Sequence, residues 1–165
     1  MSLSDRDLVH LRRAVALARQ ALERGDEPFG SLLVSEQGDV LFEDHNHVVE
    51  LEATQHPEFA IARWAGAHLS PAERAASTVY TSGEHCPMCS AAHGWAGLGR
   101  IAYAVSSAQL TEWRTSWGAP RSPVTAYPIS ALVPGVVVDG PAPEFEDEVR
   151  DLHEQFAHRR GREAP

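Results

Sequence analysis

Three side chains in two short motifs have the types and the spacing of a zinc site. The motifs are His56-Pro57-Glu58 and Cys86-Pro87-Met88-Cys89. One imidazole and two thiolates are good ligands for Zn²⁺, and a set of three leaves the fourth tetrahedral position open, as in catalytic zinc sites. Cys86 and Cys89 lie three residues apart at the predicted start of a helix, so they share a face there. The free N–H groups and the dipole of a helix start also favour the thiolate form.

Glu58 is the residue that would turn this metal site into a catalyst. Side chains in the first turn of a helix lean towards its N-terminus, so His56 and Glu58 can both reach the space in front of the helix. A zinc ion lowers the pKa of a water molecule that it binds towards about 7, and a carboxylate beside that water can act as base and then as acid. We therefore predict Glu58 as the catalytic residue and His56, Cys86 and Cys89 as ligands of one Zn²⁺ with a bound water.

Other interpretations of the same residues remain open at this point. The two cysteines, which are the only ones in the chain, could form a redox C-x-x-C pair, although this would leave the His56–Glu58 motif without a role. Glu58 could be an ordinary acidic residue at a helix start. A purely structural zinc site would need a fourth protein ligand, and four histidines could supply it: His45, His47, His85 and His93.

The rest of the chain supplies the helices and strands that would position these residues. The predicted helices comprise residues 5–24, 59–68 with Pro57 in the first turn, 86–98, 108–113 and 144–157. The predicted strands comprise residues 30–35, 39–43, 77–81, 100–105 and 135–138. The helices follow from apolar residues at intervals of three and four, and the strands from short apolar runs between turn residues. This order predicts one α/β domain over residues 1–165, a three-layer α/β/α sandwich around a five-stranded mixed sheet.

Length and charge limit the class of partner. A chain of 165 residues is large enough for one domain with a substantial core. It has 14 Lys+Arg against 23 Asp+Glu, a net charge of −9, which argues against a nucleic-acid partner because phosphate binding needs basic residues. No apolar run reaches the roughly 18 residues of a membrane span, and the N-terminus lacks the features of a secretory signal. We therefore expect a cytoplasmic protein that binds a small molecule, with no membrane partner.

The two motifs resemble those of the cytidine deaminase superfamily, in which H-x-E is followed by C-x-x-C. Further segments resemble its guanine, cytosine and tRNA adenosine deaminase branch, and the motifs are closest to those of bacterial guanine deaminase. The matching residues are Glu27-Pro28-Phe29-Gly30, Asn46, Glu84-His85-Cys86-Pro87-Met88-Cys89 and Trp95. These motifs are specific for the reaction type and say much less about the substrate.

The resemblance implies a cytidine deaminase-like fold and a zinc-dependent hydrolytic deaminase that releases ammonia from a heterocycle. It further implies that Asn46, Trp95 and Phe29 bind the substrate and that the protein is a homodimer. From the residues alone, Asn46 also fits a turn, and Trp95 and Phe29 also fit the core. The predicted substrate is a free nucleobase or a related amino-heterocycle that is guanine-, cytosine- or isoguanine-like. The alternative substrate is the wobble adenosine of a tRNA.

Two residues depart from the family pattern, and one expected acidic residue has no firm counterpart. Pro57 lacks the backbone N–H that the middle residue of the family's H-A-E motif donates to the base. His85 replaces a proline before the first cysteine and adds a titratable group beside the predicted zinc site. No acidic residue aligns firmly with the one that guanine deaminases use to recognise guanine, and Glu112 is the candidate for that role. The sequence therefore predicts the reaction type and leaves the preferred heterocycle open.

Overall fold

The computed structural model describes residues 3–163, with the side chains of residues 3–160. Its helices are α1 (Asp5–Arg24), α2 (Pro57–His68), α3 (Pro71–Ala76), α4 (Pro87–Ala96), α5 (Ser107–Ser116), α6 (Ile129–Leu132) and α7 (Glu146–Glu163). Its strands are β1 (Gly30–Val34), β2 (Val40–His45), β3 (Thr78–Gly83), β4 (Arg100–Val105) and β5 (Val138–Asp139). The ends of the predicted 1–165 domain, residues 1, 2, 164 and 165, lie outside the described residues.

The five strands form one mixed sheet in the order β2-β1-β3-β4-β5. β1 pairs antiparallel with β2 and with β3, whereas β4 runs parallel to both β3 and β5. Helices α1, α5 and α7 pack on one face of the sheet, and α2 and α4 pack on the other. The predicted three-layer α/β/α sandwich around a five-stranded mixed sheet is therefore confirmed.

The two faces of the sheet follow from the alternation of side chains along its strands. Leu32 of β1 belongs to the core beneath α1, and its neighbour Leu33 belongs to the core beneath α2. A strand that is buried on both faces appears in sequence as a continuous apolar run, which explains the composition of β1. Gly30 lies where α1 meets this strand, and a Cβ atom there would be only 2.4 Å from the Leu17 Cβ. Glycine at this position therefore allows α1 to approach the sheet closely.

Several elements differ from the sequence prediction in extent. The prediction lacks α3 and α6, which have six and four residues, too few to show a helical period of apolar residues. β5 is Val138–Asp139 rather than 135–138, because it pairs only with β4 and lies at the edge of the sheet. The final helix begins at Glu146, after a 3₁₀ turn at Pro143–Phe145. Within residues 3–163, no helix has the length and apolar character needed to cross a membrane.

Candidate active site

His56, Cys86 and Cys89 come together in the structure as the sequence predicts. The His56 Nδ1 atom lies 3.7 Å from the Cys86 Sγ and 3.6 Å from the Cys89 Sγ, and the two sulfurs are 3.6 Å apart. In a tetrahedral zinc site with bonds of about 2.0–2.3 Å, neighbouring ligand atoms are about 3.6–3.8 Å apart. The three side chains therefore fit the zinc ion that the sequence predicts.

In the part of the chain that the structure describes, the candidate metal group consists of three residues. Among the side chains that the structure describes, no further His, Cys, Asp or Glu belongs to the His56–Cys86–Cys89 group. His45 and His47 form a separate cluster with Asp44. A site with three protein ligands keeps one position open for water or substrate, which is the arrangement of catalytic rather than structural zinc sites.

Two neighbouring helix starts bring these ligands together. His56 is the N-cap residue of α2 and Cys86 is the N-cap residue of α4, and both have extended backbone angles. Each is followed by a proline, which favours an extended residue before it and suits the first helical position after it. Cys89 lies one turn into α4, and α4 packs against α2. The repeated X-Pro start thus explains why three ligands distant in sequence meet at one place.

The two thiols differ in acidity. Hydrogen bonds lower the pKa of the Cys86 thiol to about 4, with the largest contribution from Cys89 and a further one from His56. The pKa of Cys89 is raised, because its thiol is hydrogen-bonded with Cys86 and is buried beside Glu58. The lowered pKa favours the thiolate form of Cys86, which is the form that binds a metal, and a bound Zn²⁺ would favour the same form of Cys89.

Glu58 is buried beside the three ligands. Its side chain is 5% exposed, and its Oε1 accepts hydrogen bonds from Ser31 Oγ at 3.0 Å and Thr81 Oγ1 at 3.1 Å. Its Oε2 lies 3.6 Å from the Cys89 Sγ. Burial raises the pKa of Glu58 above its usual value, which brings it closer to neutral pH, where a carboxyl group can both accept and release a proton.

Ser31 and Thr81 can hold Glu58 in both of its protonation states. They are paired residues on the adjacent strands β1 and β3, with their oxygens 2.8 Å apart, and Thr81 Oγ1 is also 2.9 Å from the Gly83 carbonyl oxygen. A hydroxyl has one donor and two acceptor positions. The pair can therefore donate to Oε1 both in the carboxylate and in a carboxylic acid that carries its proton on Oε2. Sequence analysis missed both residues, although a serine inside the buried run 30–34 was a signal for Ser31.

A cavity of about 510 Å³ opens onto the site. We call one part of its lining the floor: the candidate ligands His56 and Cys86 together with Phe29, Glu58 and His85. Its wall consists of residues of α5 and of the following segment: Leu110, Thr111, Arg114, Thr115 and most of residues 119–127. Residues 119–128 form no regular secondary structure. Of the three residues predicted to bind substrate, Phe29 is the one that lines the cavity.

The side-chain amide oxygen of Asn46 is hydrogen-bonded within the protein. The residue is fully buried, and its Oδ1 accepts a hydrogen bond from the backbone N–H of Val48 at 2.8 Å, as in an Asx turn. Its Nδ2 has no hydrogen-bond partner among the described residues. Asn46 does not itself line the cavity, but its backbone N–H donates to the carbonyl of Phe29 on the cavity floor.

Trp95 and Glu112 lie outside the cavity. Trp95 is 92% exposed, so the prediction of a pocket residue is wrong within one copy of the chain, and so is the alternative of a core residue. The physical reason is its position on α4: six residues after Cys89 is about 240° around an α-helix, well away from the face that carries the ligand. Glu112 is also exposed and does not line the cavity, so it does not supply the acidic group sought in the sequence.

His85 and Glu84 are buried cavity residues whose roles the sequence did not define. The His85 ring packs against His93 with centroids 5.3 Å apart, and burial holds the pKa of His85 well below its ordinary value, so it is neutral. Glu84 accepts hydrogen bonds from the backbone N–H groups of Ser107 at 2.9 Å and Ile129 at 3.1 Å. Glu84 therefore ties the end of the sheet to the starts of α5 and α6, a long-range role with no local sequence signal.

A family model described as the cytidine and deoxycytidylate deaminase zinc-binding region matches residues 4–105. That range contains the three metal ligands and Glu58. The chain belongs to this family. Membership of this deaminase family confirms the resemblance that the two motifs indicate.

Relatives in the deaminase family differ in their named substrates. The chain is 35% identical over 108 residues to a probable cytosine deaminase of Schizosaccharomyces pombe, with 66% of this chain and 65% of that protein covered. It is 34% identical over 104 residues to the guanine deaminase of Bacillus subtilis, with 62% and 66% covered. It is 35% identical over 91 residues to a tRNA-specific adenosine deaminase of Agrobacterium fabrum, with 54% and 59% covered. The chain thus spans somewhat less than two thirds of the length of these relatives.

Solved structures share the fold of this deaminase-family chain. A guanine deaminase from Nitrosomonas europaea aligns with a TM-score of 0.70 and 19% identity over 96% of this chain and 87% of that chain. A structure from a study of A-to-I editing by tRNA:A34 deaminases aligns with a TM-score of 0.56 and 27% identity over 81% of this chain and 98% of that chain. These likenesses confirm the predicted cytidine deaminase-like fold.

Proposed function

We propose that this chain is a zinc-dependent aminohydrolase that removes the exocyclic amino group of a free nucleobase or a related amino-heterocycle. The observation that carries the proposal is the Glu58 carboxylate, buried at the cavity floor with its Oε2 3.6 Å from a metal-ligand sulfur. A structural zinc site does not require a buried acid of this kind, and a redox C-x-x-C pair would leave His56 without a role. Membership of the deaminase family supports the same reaction type.

In the proposed reaction, water adds to the ring carbon that bears the amino group, and ammonia leaves, so that an oxo group replaces the amino group. Zinc in the three-ligand site supplies Lewis acidity and lowers the pKa of water that it binds. Glu58 accepts a proton from the water and delivers protons to the ring nitrogen and the leaving amine. Because Ser31 and Thr81 hold Oε1, Oε2 is the oxygen that exchanges these protons.

Two further residues are proposed to bind the heterocycle. The Phe29 ring lines the cavity floor and offers an apolar surface to a planar ring. The Nδ2 of Asn46 is a buried donor without a partner in residues 3–160, and a buried donor of this kind gains a hydrogen bond when a ligand acceptor reaches it.

The second candidate function uses the same chemistry on the wobble adenosine of a tRNA. A tRNA-specific adenosine deaminase at 35% identity favours it. The excess of 23 acidic over 14 basic residues disfavours it, because RNA backbones are held mainly by basic groups. We therefore place the small heterocycle first.

The quaternary structure and cellular location are also proposals. The 92% exposed side chain of Trp95 supports a homodimer, because tryptophan is enriched at protein interfaces. A reducing compartment such as the cytoplasm keeps a C-x-x-C pair free to bind a metal.

The test is ammonia release from a panel of amino-heterocycles by the wild type and by Glu58→Ala. The panel contains guanine, cytosine, adenine, isoguanine, aminotriazines, their nucleosides and a tRNA anticodon stem-loop. We expect turnover of a free base and a fall in kcat of about 100-fold to 10,000-fold in Glu58→Ala, with zinc retained in the protein. Glu112→Ala is the matched control, since that carboxylate is exposed and outside the cavity.

Each outcome of this panel has a distinct meaning. A fully active Glu58→Ala protein would contradict both candidate functions. Turnover of the RNA with no turnover of any small molecule would select the tRNA alternative. Zinc binding without turnover of any compound would indicate a zinc-binding scaffold rather than a deaminase.

A further inference from the structure

Two arginines, Arg114 and Arg121, line the cavity. Arg114 belongs to α5, and Arg121 belongs to the segment 119–128, which has no regular secondary structure. Positive charge inside this cavity is unexpected for a chain with a net charge of −9. It is also more than a small neutral base requires, because such a ring is recognised by neutral donors and acceptors together with apolar contacts.

Three cavity-lining hydroxyl groups of α5 already donate their protons to the protein. Thr111 Oγ1 donates to the Ser107 carbonyl and Thr115 Oγ1 donates to the Thr111 carbonyl, each at 2.7 Å. Ser107 Oγ donates to Glu84 at 3.0 Å. A hydroxyl has one proton to donate, so these three can only accept from a ligand. Among the cavity-lining residues of α5, Arg114 is therefore the remaining side-chain donor to a bound molecule, and Arg121 adds a second guanidinium group from the following segment.

Both guanidinium groups also keep N–H groups that could donate hydrogen bonds to a ligand. Arg114 Nη2 pairs with Glu27 Oε1 at 2.9 Å, which occupies one edge of that group. Arg121 makes no ion pair or hydrogen bond with any other residue in the part of the chain that the structure describes. The acids of the cavity are engaged elsewhere, since Glu58 is bonded to two hydroxyls and Glu84 to two backbone N–H groups.

The size of the cavity agrees with a ligand larger than a bare base. Its volume of about 510 Å³ falls within the range of about 300–1,000 Å³ that is typical of sites for drug-sized ligands. A planar ring placed over Glu58 and Phe29 leaves room towards the wall. The part of the ligand that fills this room would face Arg121 and the free edge of Arg114.

We infer that the substrate is a small amino-heterocycle with an acidic substituent, a carboxylate or a phosphate, which Arg121 and Arg114 bind at the cavity wall. Arginine is suited to this because its planar group can donate two parallel hydrogen bonds to such an anion. The inference rests on the proposed function, and it identifies the substrate class of the same site. The ring lies at the floor, where the amino group is replaced, and the anion lies at the wall.

The test compares pairs of compounds that differ only in the acidic group. Three pairs suit it: cytosine with cytosine-5-carboxylate, pterin with pterin-6-carboxylate, and cytidine with cytidine 5′-monophosphate. We expect the wild type to have a kcat/KM for an acidic member at least about tenfold above that of its neutral partner. In Arg121→Gln this ratio falls to about 1, mainly through KM. Arg63→Gln, which removes an exposed arginine of α2 outside the cavity, leaves the ratio unchanged.

A binding measurement separates failure of this inference from failure of the proposed function. Calorimetry with zinc-loaded Glu58→Ala gives the Kd of each member of a pair without turnover, and we expect the same preference for the acidic member there. Calorimetry with zinc-loaded Glu58→Ala/Arg121→Gln should show that preference lost. Equal affinity for both members, or a preference that survives Arg121→Gln, would overturn the inference whether or not any compound is deaminated.

Two further outcomes identify the anion. A larger effect of Arg121→Gln on the carboxylate pairs than on the nucleotide pair, or the reverse, shows which acidic group the wall binds. A tRNA anticodon stem-loop that is preferred over every small acid, with that preference lost in Arg121→Gln, would assign the arginines to RNA phosphates and overturn the small-molecule inference.

Discussion

The floor and the wall of the cavity are built in different ways. The floor residues His56, Glu58 and Cys86 stand at the starts of two helices that pack against each other, beside the buried strands β1 and β3. The wall comes from α5 and from residues 119–127, most of which are exposed. Rigid elements at the floor fix the reacting groups, whereas the wall can vary without disturbing them. We therefore expect the floor to determine the reaction type and the wall to select the substrate.

The largest effect is expected from removing a floor ligand. Cys89 is fully buried, and its Sγ lies 3.6 Å from both other ligand atoms. Cys89→Ala therefore leaves only two of the three predicted zinc ligands. We expect zinc content to fall from one ion per chain to near zero and activity to fall below about 1% of wild type. Elemental analysis after gel filtration measures the first and ammonia release the second.

The control for this variant is Met88→Ala, which changes the neighbouring residue in the same helical turn and leaves the three ligands in place. It should retain zinc and activity. A Cys89→Ala protein with a full complement of zinc would show that the floor does not bind metal through this residue, and the contrast between floor and wall would lose its basis.

The floor could be predicted from the sequence because its signals are local. His56-Pro57-Glu58 and Cys86-Pro87-Met88-Cys89 each contain ligand types and a helix start within a few residues. The order of helices and strands was predictable for the same reason, since each element has its own apolar period. Asn46 was singled out with both a substrate role and a turn role open, and its Oδ1 does make a turn in the structure.

The wall could not be predicted, because its residues come together around the cavity only in the folded chain. Arg114 and Arg121 belong to no motif, and the segment 119–128 has no helical or strand period. Trp95 was misplaced for a related reason: a match in spacing after Cys89 does not fix which side of α4 faces the cavity. Ser31 and Thr81 are neighbours only across the β1–β3 pairing, and a strand pairing of this kind cannot be deduced from either residue alone.

An intermediate effect on kcat is expected from removing a hydroxyl group that is hydrogen-bonded to Glu58. Thr81→Val removes one of the two donors to Oε1 with little change of shape, whereas Thr81→Ser keeps the hydroxyl. Losing a hydrogen bond to a charged group costs about 1.5–3 kcal/mol, so we expect kcat to fall about 10-fold to 100-fold in Thr81→Val and much less in Thr81→Ser. Zinc content should stay at the wild-type level in both, which separates this effect from that of Cys89→Ala.

The pH profile of the same variants tests the positioning role. A hydrogen bond donated to a carboxylate stabilises its charged form and lowers its pKa. Removing the Thr81 donor therefore raises the pKa of Glu58, which burial has already raised, and a higher pH is needed to produce the base. We expect the acidic limb of the kcat/KM profile to move to higher pH in Thr81→Val and to stay in place in Thr81→Ser. Identical profiles would mean that Thr81 matters only for packing.

The smallest effect within one protomer is expected at Trp95, which shares α4 with Cys89 but lies on its outer side. A side chain that is 92% exposed contributes little to the folding of its own chain, so Trp95→Ala should change the free energy of unfolding of the monomer by no more than about 0.5 kcal/mol. If α4 forms the proposed homodimer interface, the same change lowers the molecular mass measured by analytical ultracentrifugation and makes the melting temperature depend more strongly on protein concentration.

Val9→Ala is the matched control, since Val9 is 67% exposed on α1 on the opposite face of the sheet. A Trp95→Ala protein with unchanged mass would remove Trp95 from the interface and leave its exposure without a role, whereas the predicted shift would show that one short helix holds the metal on its inner side and the partner subunit on its outer side.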